Sequence, residues 1–234
     1  MGRGRQRAVR DAAPVAVVLA LCPLVAAMAS GPAAPVERAS DLIGVERSLR
    51  MFFEPSVHAW FAARPRMMAM ADLGYATVHL PIMLGVLAWV WTARPAAFQR
   101  ARNTFVVTQF LLVVGYVLVP TAPPRMVPSL GYEHASGAGL TGLDRLAMSP
   151  YAAMPSGHAA FAVLAAGIVV ALSRSRLVRM LAALYPVAVL LEIVGTGNHI
   201  WLDAAAGAAV AVLGFALVSA RPAIVPVTVP SADG

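Results

Sequence analysis

An all-α, polytopic bundle of about six membrane-spanning helices is the fold class this sequence predicts. Three observations predict it. Of 234 residues, 59% are hydrophobic and only 12% are charged, roughly half the charged share of an ordinary soluble domain. The apolar residues run in long blocks, with a mean hydropathy of +0.74. No block alternates apolar with polar residues as a strand would. Every backbone polar group in lipid needs an internal partner, so blocks of this kind are helices.

The spans follow from where roughly 17–25 apolar residues run without charge. They are Ala12 to Ser30, Leu73 to Ala93, Asn103 to Pro120, a short His158 to Ser173, Met180 to Asn198, and Ile200 to Ala220. Residues 1–30 form a cytoplasmic tail and first span. Arg3, Arg5, Arg7 and Arg10 before an apolar stretch ending Ala-Met-Ala-Ser also fit a signal peptide. Residues 31–72 form an extracytoplasmic interfacial segment, in which Leu49, Phe52, Phe53, Trp60 and Phe61 interleave with Arg47, Arg50, Arg64 and Arg66. Residues 73–220 form the main membrane domain, and 221–234 a cytoplasmic tail.

Charge orients the bundle. All 18 basic residues are Arg and the net charge is +7. They sit in short clusters between apolar blocks, which marks membrane topology and excludes a nucleic-acid surface. With the N-terminus inside, the cytoplasmic pieces hold eleven Arg against two acids, and the outer pieces hold seven of each. The positive-inside rule prefers this arrangement. It places the loop from Pro120 to His158 and the Asn198-His199 pair on the outer face, with both termini in the cytoplasm, and the expected location is a bacterial plasma membrane. The lone Cys22, within an apolar run, excludes a disulfide framework.

Two distant strings then meet at one face. The loop after the third span opens Pro120-Thr121-Ala122-Pro123-Pro124-Arg125 and closes Met154-Pro155-Ser156-Gly157-His158. Ser156 and Gly157 at a helix start favour an anion, and Arg125 offers a bidentate grip on phosphate oxygens. The other string is Gly195-Thr196-Gly197-Asn198-His199-Ile200-Trp201-Leu202-Asp203. His199 and Asp203, at i and i+4, share one face of a helix. A carboxylate on one imidazole nitrogen leaves the other free as a nucleophile.

Pro155-Ser156-Gly157-His158 followed by His199-x-x-x-Asp203 resembles the type 2 phosphatidic acid phosphatase superfamily, over about Leu73 to Ala220. The Pro-Pro-Arg loop, and the Glu-Pro and aromatic pattern from Phe52 to Trp60, are similar to the branch that includes inositol phosphorylceramide synthase. The resemblance implies a lipid phosphatase or phosphotransferase working through a phosphohistidine. His199 would be the nucleophile and Asp203 its orienting partner. His158 would be the general acid and base, and Arg125, Ser156 and Gly157 would hold the phosphate. Its substrate would be a phospholipid, a lipid phosphate or a polyprenyl (di)phosphate, met among membrane lipids, with water or an alcohol as acceptor. No cofactor, no metal and no nucleic acid is implied.

The sequence departs from that pattern at two places. Leu118 stands where a Lys is expected, and Glu192-Ile193 stand for a Ser-Arg pair. Glu192 is an intramembrane carboxylate, a functional candidate and equally a packing group. His79 follows Tyr75 by one helical turn and reads first as packing, with a place at a lipid entrance as the alternative. His58 and His134 read as interface anchors, Asp144 and Arg145 as a solvated loop pair, and Met67, Met68 and Met70 as packing. Two other classes stay open: a channel or transporter subunit, whose charges would string along a pathway, and a zinc hydrolase with two His and one Asp as ligands.

Overall fold

The computed structural model describes residues 3–28, 31–132 and 149–220, and these are helical throughout apart from short connections and one isolated bridge, Thr121 to Ala152. His134, Asp144 and Arg145 lie outside the described residues. The helices are α1 (Arg3–Ala27), α2 (Ala33–Ser48), α3 (Glu54–Ala62), α4 (Pro65–Thr77), α5 (His79–Ala93), α6 (Pro95–Leu118), α7 (Gly157–Leu172), α8 (Arg176–Gly195) and α9 (Trp201–Ser219). Pro65 and Pro95 open α4 and α6, where a missing N–H costs nothing. Ser156 and Ser175 cap α7 and α8 by accepting from Ala159 N and Val178 N.

Residues Gly4–Val25, α6, α8 and α9 are long and apolar enough to cross a membrane. The pair α4 and α5, bent by 50°, makes a fifth candidate. The fourth expected span, α7, has 16 residues, about 24 Å of helix against a hydrocarbon core of about 30 Å. By length and composition, then, four or five spans qualify among the described residues. Residue 72, where the interfacial segment is expected to end, lies inside α4.

The 50° bend has a local cause. Pro81 lacks the N–H that would reach the carbonyl of Thr77, and its ring crowds that carbonyl. Tyr75 and His79 therefore lie on two helices, on either side of the bend.

Core packing centres on α7, which lies against α8, α9 and α5, while α9 and α1 pack on α6. Met83, Val90, Phe105, Leu112 and Leu164 are fully enclosed among them. The outward sides stay apolar, with Phe110, Leu118, Met180, Leu184, Val187 and Val212 exposed, as a lipid-facing surface requires. A second cluster joins Ala39 and Ile43 of α2 to Ala122, Val127, Tyr151 and Ile200. Through it the arm made of α2 and α3 is tied to the loops at one end of the bundle.

Candidate active site

The start of α9 organises this end. His199 precedes the helix, and Asp203 lies in its first turn. Asp203 Oδ2 accepts from the N–H of Ile200 at 3.2 Å and lies 3.5 Å from His199 Nδ1. The pair is therefore joined by a capping turn, where a shared helix face was expected. On the other side, the N–H groups of Asn198 and His199 both donate to Ile193 O, at 3.0 and 3.1 Å. His199 is 2% exposed, and its Nε2 is buried without a hydrogen-bond partner.

His158, in the first turn of α7, lies beside it with ring centroids 5.7 Å apart. Its Nε2 donates to the carbonyl of Tyr75 at 3.2 Å, and the Tyr75 ring stacks on it at 4.1 Å. The bend between α4 and α5 also sets His79 edge-on to His158, at 5.0 Å. The two distant strings thus meet as the charge pattern required.

Ser156 and Gly157 are placed at a helix start as expected, but their polar groups are largely engaged within the protein. Ser156 N–H donates to Asp203 O at 2.9 Å, and its Oγ caps Ala159. The Gly157 N–H meets the Tyr116 hydroxyl, and a Cβ at Gly157 would sit 2.8 Å from that oxygen. A Cβ at Gly207 of α9 would collide with the Ser156 carbonyl. Small residues let the starts of α7 and α9 approach until their histidines face each other.

Arg125 joins from the Pro-Pro-Arg loop. Its N–H donates to Gly197 O at 3.0 Å, and its guanidinium donates to Asn198 Oδ1. Asn198 in turn donates to Thr196 Oγ1 at 2.8 Å. Burial holds the Arg125 pKa below the usual guanidinium value, while Tyr75 and Asp72 oppose that shift. Gly197, with φ of +68°, makes the turn that brings its carbonyl and Asn198 to the arginine.

A family model described as the PAP2 superfamily matches residues 40–217. The chain belongs to the PAP2 superfamily. Members are generally phosphatases, and membership indicates a phosphatase-type membrane protein. No curated protein and no solved structure matches the chain. The matched region begins inside α2 and ends in α9, so α1 stands outside the PAP2 region.

One of the two departures from the PAP2 pattern, Glu192, acquires neighbours. Glu192 Oε2 lies 3.0 Å from His79 Nε2, and His79 Nδ1 lies 2.9 Å from the Tyr185 hydroxyl. The intramembrane carboxylate and the histidine flagged beside Tyr75 are thus one cluster behind His158. His58, read as an anchor, is buried, donates to Gly195 O at 2.8 Å and stacks on Tyr132. Burial first, then Glu54 and Glu46, push the Tyr132 hydroxyl above its usual pKa. Sequence reading passed over Glu46 altogether and noted Glu54 only within a Glu-Pro string. Both are buried against the start of α9. Among the described residues, no three His, Cys, Asp or Glu side chains converge as metal ligands would.

Proposed function

We propose that the protein is a membrane enzyme that takes a phosphoryl group from a phospholipid, lipid phosphate or polyprenyl (di)phosphate onto His199, then passes it to water or an alcohol. The observation that carries this reading is the buried histidine pair: the rings are 5.7 Å apart, and His199 is backed by Asp203 and open at Nε2. Asp203 keeps the imidazole proton on Nδ1, which leaves the Nε2 lone pair as nucleophile. That lone pair forms a bond to phosphorus while the bond to the leaving oxygen breaks. The departing alkoxide takes a proton from His158. Water or an alcohol then attacks phosphorus, gives its proton back to His158, and the P–N electrons return to His199.

His158 is held by its stack on Tyr75 and the bond from Nε2, so Nδ1 is the nitrogen that exchanges the proton. Arg125 grips the phosphate oxygens. Ser156 and Gly157 aim the start of α7 and its positive dipole end at the same anion. The scheme uses no metal and no cofactor.

The catalytic groups act at the extracytoplasmic face, with six crossings once α7 is included. Support comes from where the arginines gather. Arg7, Arg10 and Arg102 lie 3.6–3.7 Å from Asp11, Arg94 donates to Leu172 O, and Arg100 donates to Ser219 Oγ. These tie together the starts of α1 and α6 and the ends of α7 and α9, the end of the bundle away from the histidines. Kinship with the branch resembling inositol phosphorylceramide synthase has support in Glu54 and Arg125, since both residues from its two strings bond to the segment around His199.

The deciding measurement is phosphate release from a panel of lipid phosphates by purified protein in detergent, with EDTA and His199→Ala in parallel. The expected result is release that survives EDTA and disappears in the folded variant. If no lipid releases phosphate, an added polyol or lipid alcohol should reveal transfer. Wild-type turnover by His199→Ala would end the phosphohistidine reading.

A further inference from the structure

Glu46 and Glu54 take no part in the chemistry above, yet they are among the most deeply buried polar side chains, at 0% and 1% exposure. Carboxyl groups at that depth need strong partners. Glu54 Oε1 accepts from the N–H of Trp201 at 3.0 Å, and Glu46 Oε1 accepts from the N–H of Leu202 at 3.1 Å. These are the first two residues of α9, whose N–H groups have no carbonyl within the helix. With Asp203 on Ile200 N–H, the three N–H groups following His199 each end on a carboxyl oxygen.

We propose that Glu46 and Glu54 are positioning residues for His199, a two-carboxyl clamp by which the α2–α3 arm fixes the backbone that presents the nucleophile. The proposal rests on the reading of His199 as the reacting group. Physically, the bonds to Ile193 O set the chain on the N-terminal side of the imidazole, and the clamp sets it on the C-terminal side. A displacement of about 1 Å at a reacting atom costs on the order of a hundredfold in rate, so a loose start of α9 is felt directly in kcat. The contacts span 147 and 156 residues of sequence, so the arm's docking and the shape of the site are one event.

The clamp also titrates. Burial foremost pushes Glu46 up to about 8; the Leu202 N–H opposes this, and Glu54 and Asp203 add to it. Tyr132 faces the same two glutamates. Glu46 therefore holds a proton at neutral pH, and its carbonyl oxygen still accepts from Leu202. Above about pH 8 it ionises beside Glu54 and Asp203, and like charges at short range force the clamp open.

The test is the pH profile of kcat and KM for wild type, Glu46→Gln, Glu46→Ala, Glu54→Gln and Glu54→Ala. Alongside it runs the His199 side-chain signal in histidine-labelled protein, assigned by its loss in His199→Ala. The alanine variants should lose kcat by roughly ten- to a hundredfold with KM little changed, and the His199 signal should shift. Each glutamine keeps the acceptor oxygen and should restore most of the loss. Glu46→Gln should also abolish the fall in activity above about pH 8. If the alanine variants do not fold, the glutamine variants decide. An unaltered alkaline fall in Glu46→Gln, or an unmoved His199 signal with wild-type kcat in the alanine variants, overturns the clamp. Should His199 prove dispensable for turnover, the histidine signal still judges the clamp by itself.

Discussion

Asp203 serves two partners with one carboxylate. Its Oδ2 accepts the Ile200 N–H at 3.2 Å and faces His199 Nδ1 at 3.5 Å, so the group that caps α9 also fixes the tautomer of the proposed nucleophile. Asp203→Asn keeps the cap's shape but replaces an ion with an amide that no longer favours the proton on Nδ1. We expect kcat to fall by roughly 10²–10⁴-fold with the melting temperature in detergent nearly unchanged, measured side by side. A loss of activity that tracks a loss of folded protein would make Asp203 a cap only. The i, i+4 spacing was enough to pair these residues from sequence, yet for a reason that proved incidental. The pair forms because a capping turn folds His199 back over the first turn of α9. Glu46 and Glu54 were silent in sequence because buried and solvated carboxylates look alike until a distant N–H is brought to them.

The element that matters most for the site is the broken pair α4 and α5. With its 50° bend, it holds Tyr75 flat on His158 and His79 edge-on to the same ring. Pro81→Ala restores the missing N–H and allows the helix to run through Val78. The variant should remain folded and helical by circular dichroism and lose kcat by roughly tenfold as Tyr75 leaves His158. Unchanged turnover would show that the bend serves packing alone. The short α7 is the other telling element. Gly207 and Gly157 permit its start to touch α9 and Tyr116, so the close approach of the histidines depends on residues with no chemistry of their own. Its apolar sequence was legible as a helix, and its start at Ser156 and Gly157 was legible too. The engagement of the Ser156 and Gly157 N–H groups by Asp203 and Tyr116 was not, because both partners lie on other helices.

At the scale of the whole molecule, the arginines that join the starts of α1 and α6 to the ends of α7 and α9 lie at the end of the bundle opposite the histidine pair. The orientation that follows predicts that reporter fusions after residue 102 and after residue 179 score as cytoplasmic, whereas one after residue 131 scores as exported. The reverse pattern would put the proposed chemistry on the cytoplasmic side. What the amino-acid sequence determined by itself was the solvent and where to look for the chemistry. Its apolar blocks demand helices because lipid offers the backbone no partners, and Pro155-Ser156-Gly157-His158 with His199-x-x-x-Asp203 points to the groups proposed to react. Only the tertiary structure decided how many helices are long enough to span, and that Glu192 meets His79. It also decided that two glutamates from the arm close on the start of α9. Those facts depend on which helix ends come together, and hydropathy is blind to that: it records what each segment avoids and says nothing about what it touches.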